Sequence, residues 1–217
     1  HGTSHRYVSM RYGQIKGKVE GTKIVTCHLG NGSSITAIKD GKCMDTSMGF
    51  TPLDGFIMGT RCGEIDPAIL TFLMEKEDLS PEEMDNILNK KSGMLGISGV
   101  SSDDRDVAKA VEEGNDRAKL AWDMRTYEIV KYIGGYVAAL GGVDAIVFTA
   151  GIGENQIDLR REILSSFGYL GLKVDEQAND CRGKEREITT ADSAVRAFVI
   201  PTDEELVIAR DTQALIG

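Results

Sequence analysis

Six short stretches of the chain carry side chains that can do chemistry. In His1-Gly2-Thr3-Ser4-His5 two histidines stand four residues apart. One helical face with that spacing suits a metal ion, but Gly2 disfavours helix and no third ligand follows at close spacing. A histidine here could instead donate to an oxygen that gains charge in a transition state, or be an ordinary chain end. His28-Leu29-Gly30-Asn31-Gly32-Ser33-Ser34 can wrap phosphate oxygens with backbone amides, Asn31 and hydroxyls. It can also be a plain hairpin turn with Asn31 left-handed. Met58-Gly59-Thr60-Arg61-Cys62-Gly63 sets an arginine in a glycine-flanked loop, where it either neutralises charge on a phosphoryl group or lies idle on the surface. Ala150-Gly151-Ile152-Gly153-Glu154-Asn155 is a glycine-rich turn after an apolar run, fit for close approach to a nucleotide or for a ligand-free corner. It lacks the third glycine of a dinucleotide fingerprint, and no Walker loop occurs in the chain. Asp203-Glu204-Glu205 opens a helix, so the acids complement the helix dipole or contact Mg²⁺. Ser101-Ser102-Asp103-Asp104-Arg105 contains a cap for a helix.

These stretches need elements to hold them. Residues 23–29, 33–39 and 42–47 read as an antiparallel meander, with Asp40-Gly41 as one turn. Residues 48–65 lack periodicity and read as an ordered loop. Asp66-Pro67 starts a helix to about 76, and the capping box Ser80-Pro81-Glu82-Glu83 starts another to about 92. Residues 103–140 are mostly helical, broken near Gly114. Residues 144–149 form a buried parallel strand, followed after the 150–155 turn by a helix to about Phe167, stopped by Gly168. Residues 195–200 give another buried strand, and a last helix runs from about 203 to 214. One mixed α/β domain over 1–217 is the simplest organisation.

Composition narrows the function. Lys and Arg total 25 against 34 Asp and Glu, a net charge of −9, which argues against a nucleic-acid partner. No apolar run is long enough for a membrane span, so no membrane is expected. The four cysteines form no C-x-x-C pair and read as reduced buried thiols of a cytoplasmic protein, with Cys62 beside Arg61 the one candidate for activation. Glycine, at 25 of 217 residues, is in excess and needs an explanation.

Taken in order, these motifs resemble the acetate kinase family of carboxylate kinases. The resemblance rests on His1-Gly2-Thr3-Ser4-His5-Arg6, Thr26 to Ser34, Asp45-Thr46-Ser47-Met48-Gly49-Phe50-Thr51-Pro52-Leu53, Met58-Gly59-Thr60-Arg61, Phe148 to Asn155, and Ile200-Pro201-Thr202 before Glu204-Glu205-Leu206. It covers essentially the whole chain. It implies the α/β, ribonuclease-H-like fold of the actin/Hsp70/sugar-kinase (ASKHA) superfamily, a mixed sheet flanked by helices. It implies that residues 1–217 match only the C-terminal, nucleotide-binding half of a typical member. The implied reaction moves the γ-phosphoryl of ATP to acetate, reversibly and with Mg²⁺. By resemblance His1 and Arg61 stabilise the transferring phosphoryl group, and His28, Leu29, Gly30, Asn31 and Gly32 bind phosphate. Asp103, Asp104 and Arg105 contact ribose and adenine, while Gly151, Ile152, Gly153, Glu154 and Asn155 form the other nucleotide wall. Pro52 meets the acetate methyl, and Glu204 meets Mg²⁺. A homodimer is implied as well. Asp203 departs from the asparagine usual in the family. The catalytic aspartate, the carboxylate-binding arginine and a metal-proximal asparagine belong to the half not matched. Competing expectations are a propionate or butyrate kinase, a non-catalytic nucleotide-binding or dimerisation module, and, more distantly, a Rossmann dehydrogenase.

Overall fold

The computed structural model describes all 217 residues, and the chain divides into two compact units. One comprises residues 1–29, 34–46 and 130–217; the other comprises 30–33 and 47–129. No linker-like segment marks the change from one to the other.

The first unit is built on a six-stranded sheet. Its strands are β1 (Lys23–Leu29), β2 (Ser33–Lys39), β3 (Lys42–Thr46), β4 (Ala145–Thr149), β5 (Arg186–Glu187) and β6 (Arg196–Val199), in the spatial order β3-β2-β1-β4-β6-β5. β4 runs parallel to both β1 and β6, whereas β2–β3 and β5–β6 are antiparallel. The sheet is therefore mixed, as the resemblance implies. Every residue of β4 is buried, which is why its sequence is an unbroken apolar run ending in Thr149. The β1–β4 register pairs Ile24 with Ala145 and ends by pairing His28 with Thr149, so both polar residues stand at the carboxyl ends of parallel strands. That edge is where ligands bind in open α/β sheets.

Helix α1 (Gly2–Lys16) packs on this sheet, and it was not expected. Its buried residues Ser4, His5, Val8, Ser9, Tyr12 and Gly13 recur every four positions, but four of the six are polar or glycine, so no apolar stripe betrays them. Val8 and Tyr12 complete a core with Ile24, Ile38, Ala145, Val147, Phe198 and Ile200, and tertiary packing overrides the weak propensity at Gly2. A second correction concerns 150–155. These residues form the short helix α7 (Ala150–Asn155) rather than a loop, entered through Ala150 at φ 65°. α8 (Ile157–Ser165) follows, then a 3₁₀ turn opened by Gly168 instead of a stop at that glycine, then α9 (Glu176–Asn179). α10 (Glu204–Ile216) closes the unit, capped by Asp203, which accepts from Leu206 N at 3.0 Å.

The second unit follows expectation more closely. Residues 48–65 carry no helix or strand. α2 (Ala68–Glu77) starts after Asp66-Pro67, and α3 (Pro81–Lys90) has the reciprocal Ser80–Glu83 capping box. The short α4 (Gly93–Ser98) was not expected. α5 (Asp104–Glu112) and α6 (Asp116–Leu140) are separated by Gly114 at φ 83°; α6 residues past Ile129 belong to the first unit. The core here is Ile57, Met94, Val107, Ala110, Ala118 and Ala121. The four cysteines are unpaired, and they are not all buried: Cys43 is exposed and Cys62 half-buried. No helix is long and apolar enough to cross a membrane.

The docking of α1 gives a direct test. Val8→Ala should lower the unfolding free energy by roughly 1.5–3 kcal/mol through lost burial and a cavity, while the exposed neighbour Met10→Ala should change it by less than about 0.5 kcal/mol. Urea denaturation of the two variants checks this.

Candidate functional site

In the first unit α1 brings three histidines to the end of β1. His1 and His28 stack with ring centroids 3.9 Å apart. The Ser34 hydroxyl lies 2.9 Å from His1 Nδ1 and 2.8 Å from His5 Nε2, bridging the two rings. His5 Nδ1 is 2.7 Å from Thr26 Oγ1, and His28 Nδ1 is 2.8 Å from Ser4 Oγ. A hydroxyl has one proton, so Ser34 donates to at most one of the two imidazoles and accepts from at least one. His5 and His28 are buried and His1 is exposed. Burial holds the His5 pKa down to about 3, aided by the proximity of His28, and burial likewise holds His28 at about 4. Both rings are therefore neutral at pH 7. They act as hydrogen-bonding groups of fixed orientation rather than as cations, and the four-residue spacing of His1 and His5 builds no metal site. Nowhere do three or more His, Cys, Asp or Glu form a group able to hold a metal ion by themselves.

Two buried hydroxyls at the same sheet edge have no hydrogen-bond partner in the protein: Thr149 Oγ1 after β4 and Thr202 Oγ1 after β6. Buried polar atoms are normally satisfied, so this edge is chemically suited to a polar ligand. Thr202 N donates to Glu154 Oε1 at 3.4 Å, tying α7 to the run that leads into Glu204. Glu204 is half-buried in the first turn of α10. Gly153 is buried and Gly151 exposed, with Ile152, Glu154 and Asn155 between these extremes. Asn155 Nδ2 donates back to Gly151 O at 2.8 Å.

The second unit assembles the remaining expected residues around backbone contacts. Ser33 Oγ both meets Gly30 N and donates to Gly30 O, closing the Gly30-Asn31-Gly32 turn. Asn31 is not left-handed, so this is not the simple hairpin turn. Gly59 N donates to Asn31 O, and a Cβ at Gly59 would stand 1.7 Å from Asn31 Oδ1 and 3.1 Å from Ser102 O. Glycine at 59 thus permits the turn, the arginine loop and the 101–105 run to meet. The start of α4 stitches the arginine loop in place: Ser92, Met94 and Leu95 amides donate to the carbonyls of Thr60, Met58 and Gly59. Arg61 is half-buried, donates to Pro52 O at 3.2 Å, and has no carboxylate partner. Cys62 beside it is not activated; burial raises its pKa.

Asp103 caps α5 through Arg105 N at 2.9 Å and forms an ion pair with the Arg105 side chain, which holds its carboxyl down to about 2. Asp104 corrects an expectation. Its carboxylate is buried and engaged by Arg125, whose guanidinium lies 4.8 Å from the Trp122 ring centre. It is a strut at the start of α5, not an open ligand group.

With this geometry in hand, the relatives can be compared. The family model described as "Acetokinase family" matches residues 1–210. The chain belongs to the acetokinase family. It is 61% identical over 217 residues to acetate kinase of Moorella thermoacetica and 58% identical to that of Halothermothrix orenii, all of this chain aligning with 55% and 54% of those proteins. Among solved structures, acetate kinase of Porphyromonas gingivalis superposes with a TM-score of 0.96 at 50% identity, and a propionate kinase of Francisella tularensis with 0.92 at 44%. The chain covers 55% of each, so it spans about half the length of the relatives it matches. Its fold, a mixed sheet flanked by helices, is the one these carboxylate kinases share.

Sequence reasoning identified the histidines, and the Ser34 hydroxyl as a phosphate donor, but not that Ser4, Thr26 and Ser34 hold the rings, nor that the Thr149 and Thr202 hydroxyls are buried without partners. The neutral histidines set a pH dependence. Unfolded histidine titrates near 6.5, while folded His5 and His28 titrate at about 3 and about 4. The unfolded state therefore binds more protons between about pH 4 and 6.5, and stability must fall as pH is lowered through that window. The slope should approach about 2.7 kcal/mol per pH unit for two protons. Urea midpoints from pH 7 to 4 measure it, and His5→Gln should remove about half of the slope.

Proposed function

We propose that this chain is the C-terminal, nucleotide-binding half of an ATP-dependent acetate kinase, which transfers the γ-phosphoryl of ATP to acetate to give acetyl phosphate and ADP. The observation that carries the reading is Arg61: a half-buried cation with no carboxylate partner, in a loop whose carbonyls are pinned by α4. Phosphoryl transfer needs positioning and charge neutralisation more than covalent chemistry, and a fixed, unpaired guanidinium supplies both. His1, oriented through Ser34 and stacked on His28, donates a hydrogen bond to a phosphoryl oxygen as the equatorial oxygens gain charge. The Gly30–Gly32 turn, with His28 and Leu29 before it, binds phosphate oxygens. Asp103 and Arg105 contact the adenosine, as the resemblance implies, and Gly151–Asn155 are nucleotide-binding residues of the first unit. Pro52, held to Arg61 through its carbonyl, lines the space for the acetate methyl.

The residues at the β6–α10 junction fit a Mg²⁺ ion. Such an ion binds through one or two carboxylates while keeping waters and phosphate oxygens, and Glu204 with the unpartnered Thr202 hydroxyl offers that kind of donor set. When bound, Mg²⁺ screens the phosphate charge. The resemblance further supports a cytoplasmic homodimer, with the carboxylate-binding arginine supplied by the half of a typical family member that this chain does not match. A second reading, a kinase of propionate or butyrate, is favoured by the likeness to the Francisella propionate kinase.

Turnover on acetate, propionate and butyrate in the full enzyme tests the assignment; propionate or butyrate outrunning acetate selects the second reading. Arg61→Ala should reduce kcat roughly 10³-fold while the KM for ATP moves little; equal losses in both would favour a nucleotide-binding module without catalysis. The isolated 217-residue chain should form no acetyl phosphate at the rate of the full enzyme, as a hydroxylamine trapping assay would read.

A further inference from the structure

Arg160 takes no part in the chemistry above, yet it is the largest side chain buried without exposure. It sits on α8, and every bond it makes goes to a neutral acceptor. Nε donates to Asn179 Oδ1 at 2.9 Å, Nη1 to Gly153 O at 2.9 Å, and Nη2 to Asn179 O at 2.7 Å and Cys181 O at 2.9 Å. No carboxylate pairs with it. A buried, unpaired guanidinium is costly to retain, and it stays charged at neutral pH. A stabilising role alone would be met more cheaply by an apolar side chain.

The carbonyl account of α7 shows what the cation does. A helix leaves its last four carbonyls without partners in the helix, and a six-residue helix is mostly ends. Here all four are taken. Ile152 O accepts from Gln156 N at 2.9 Å, Gly153 O from Arg160 Nη1, Glu154 O from Gly183 N at 3.3 Å, and Asn155 O from Arg182 Nη1 at 2.7 Å. Arg160 also grips the 179–181 segment from which Arg182 and Gly183 follow, and Asn179 Nδ2 returns a bond to Ile157 O at 3.0 Å. One guanidinium therefore fixes both α7 and the strap that caps it.

We propose that Arg160 is a positioning residue for nucleotide recognition: through Gly153 O, Asn179 and Cys181 O it locks residues 151–155 in the conformation that meets the nucleotide, with Arg182 as a weaker second clasp. This inference rests on the nucleotide-wall reading of 151–155. The planar fork matters as well as the charge, because four acceptors on two segments must be reached at once.

The test uses the full enzyme with Arg160→Lys, Arg160→Met and Arg182→Ala, measuring kcat, both KM values and amide hydrogen exchange of residues 151–155 and of β4. A hydrogen bond from a charged donor is worth about tenfold or more in an equilibrium. Arg160→Met should therefore raise the KM for ATP at least about tenfold with the KM for acetate within about twofold. Arg160→Lys should recover part of the loss, and Arg182→Ala should shift it about two- to threefold. Exchange at 151–155 should quicken in the same order while β4 stays protected. Should Arg160→Met fail to fold, the Lys and Arg182 variants carry the comparison. Equal rises in both KM values, or an unchanged KM for ATP despite faster exchange at 151–155, would overturn the proposal. Unchanged exchange at 151–155 would overturn it too, even if the unsubstituted enzyme showed no ATP-dependent transfer, a result that by itself would sink the functional reading instead.

Discussion

The parallel pairing of β4 between β1 and β6 is the constraint on which the first unit depends. Five consecutive buried residues, Ala145 to Thr149, leave no face for solvent. The pairing fixes where each strand ends, and the strand ends are where the candidate site residues of this unit stand. His28 stands opposite Thr149 in register, and Ile200 N donates to Phe148 O just before Pro201-Thr202. A slip of one residue in either pairing would turn these side chains to the opposite face. The site residues of this unit are thus placed by apolar residues that never approach a ligand.

Placement brings an electrostatic consequence. A chain with net charge −9 could be thought unsuited to a polyanionic substrate. The histidine cluster shows how the difficulty is avoided. Buried His5 and His28 remain neutral, so they contribute orientation and hydrogen bonding without requiring counter-charges nearby. Arg61, in the second unit, is a cation that no carboxylate neutralises. The surplus acids are elsewhere, many in exposed pairs such as Arg6–Asp211 and Lys119–Asp123, which are screened and contribute little.

Five of the six strands, the two capped helices α3 and α5 and the break at Gly114 were legible because local chemistry writes them: β-branched runs, a Ser80–Glu83 box, an Asp103 cap; β5, only two charged residues long, carries no such signal. The family motifs were legible too, since glycine and histidine in fixed order have few other uses. What stayed hidden was hidden for a physical reason in each case. α1 buries serines, a histidine and a glycine instead of leucines, so its period carries no hydropathy signal. α7 enters helix through a left-handed Ala150, where sequence favours glycine. Asp104 looks like any acid at a helix start until its partner Arg125, distant in sequence, is seen. Arg160 lies beside Arg161 in an apparently solvated pair, yet Arg160 is buried while Arg161 is partly exposed and bonds to Asp158 and Glu176.

The same device recurs in both units. The arginine loop at 58–61 and the helix at 150–155 are short and contain glycine, and apart from the buried Met58 side chain they have little apolar packing of their own. Each is instead held by its carbonyls. Amides at the start of α4 take those of Met58, Gly59 and Thr60, and Arg160, Gly183 and Arg182 take those of Gly153, Glu154 and Asn155. Glycine allows the approach: at Gly93 a Cβ would meet Met58 O at 2.2 Å and Arg61 O at 2.7 Å. In the arginine loop these carbonyl contacts fix the backbone without drawing a carboxylate to Arg61, and under the proposed function that leaves its guanidinium charge available to a phosphoryl group.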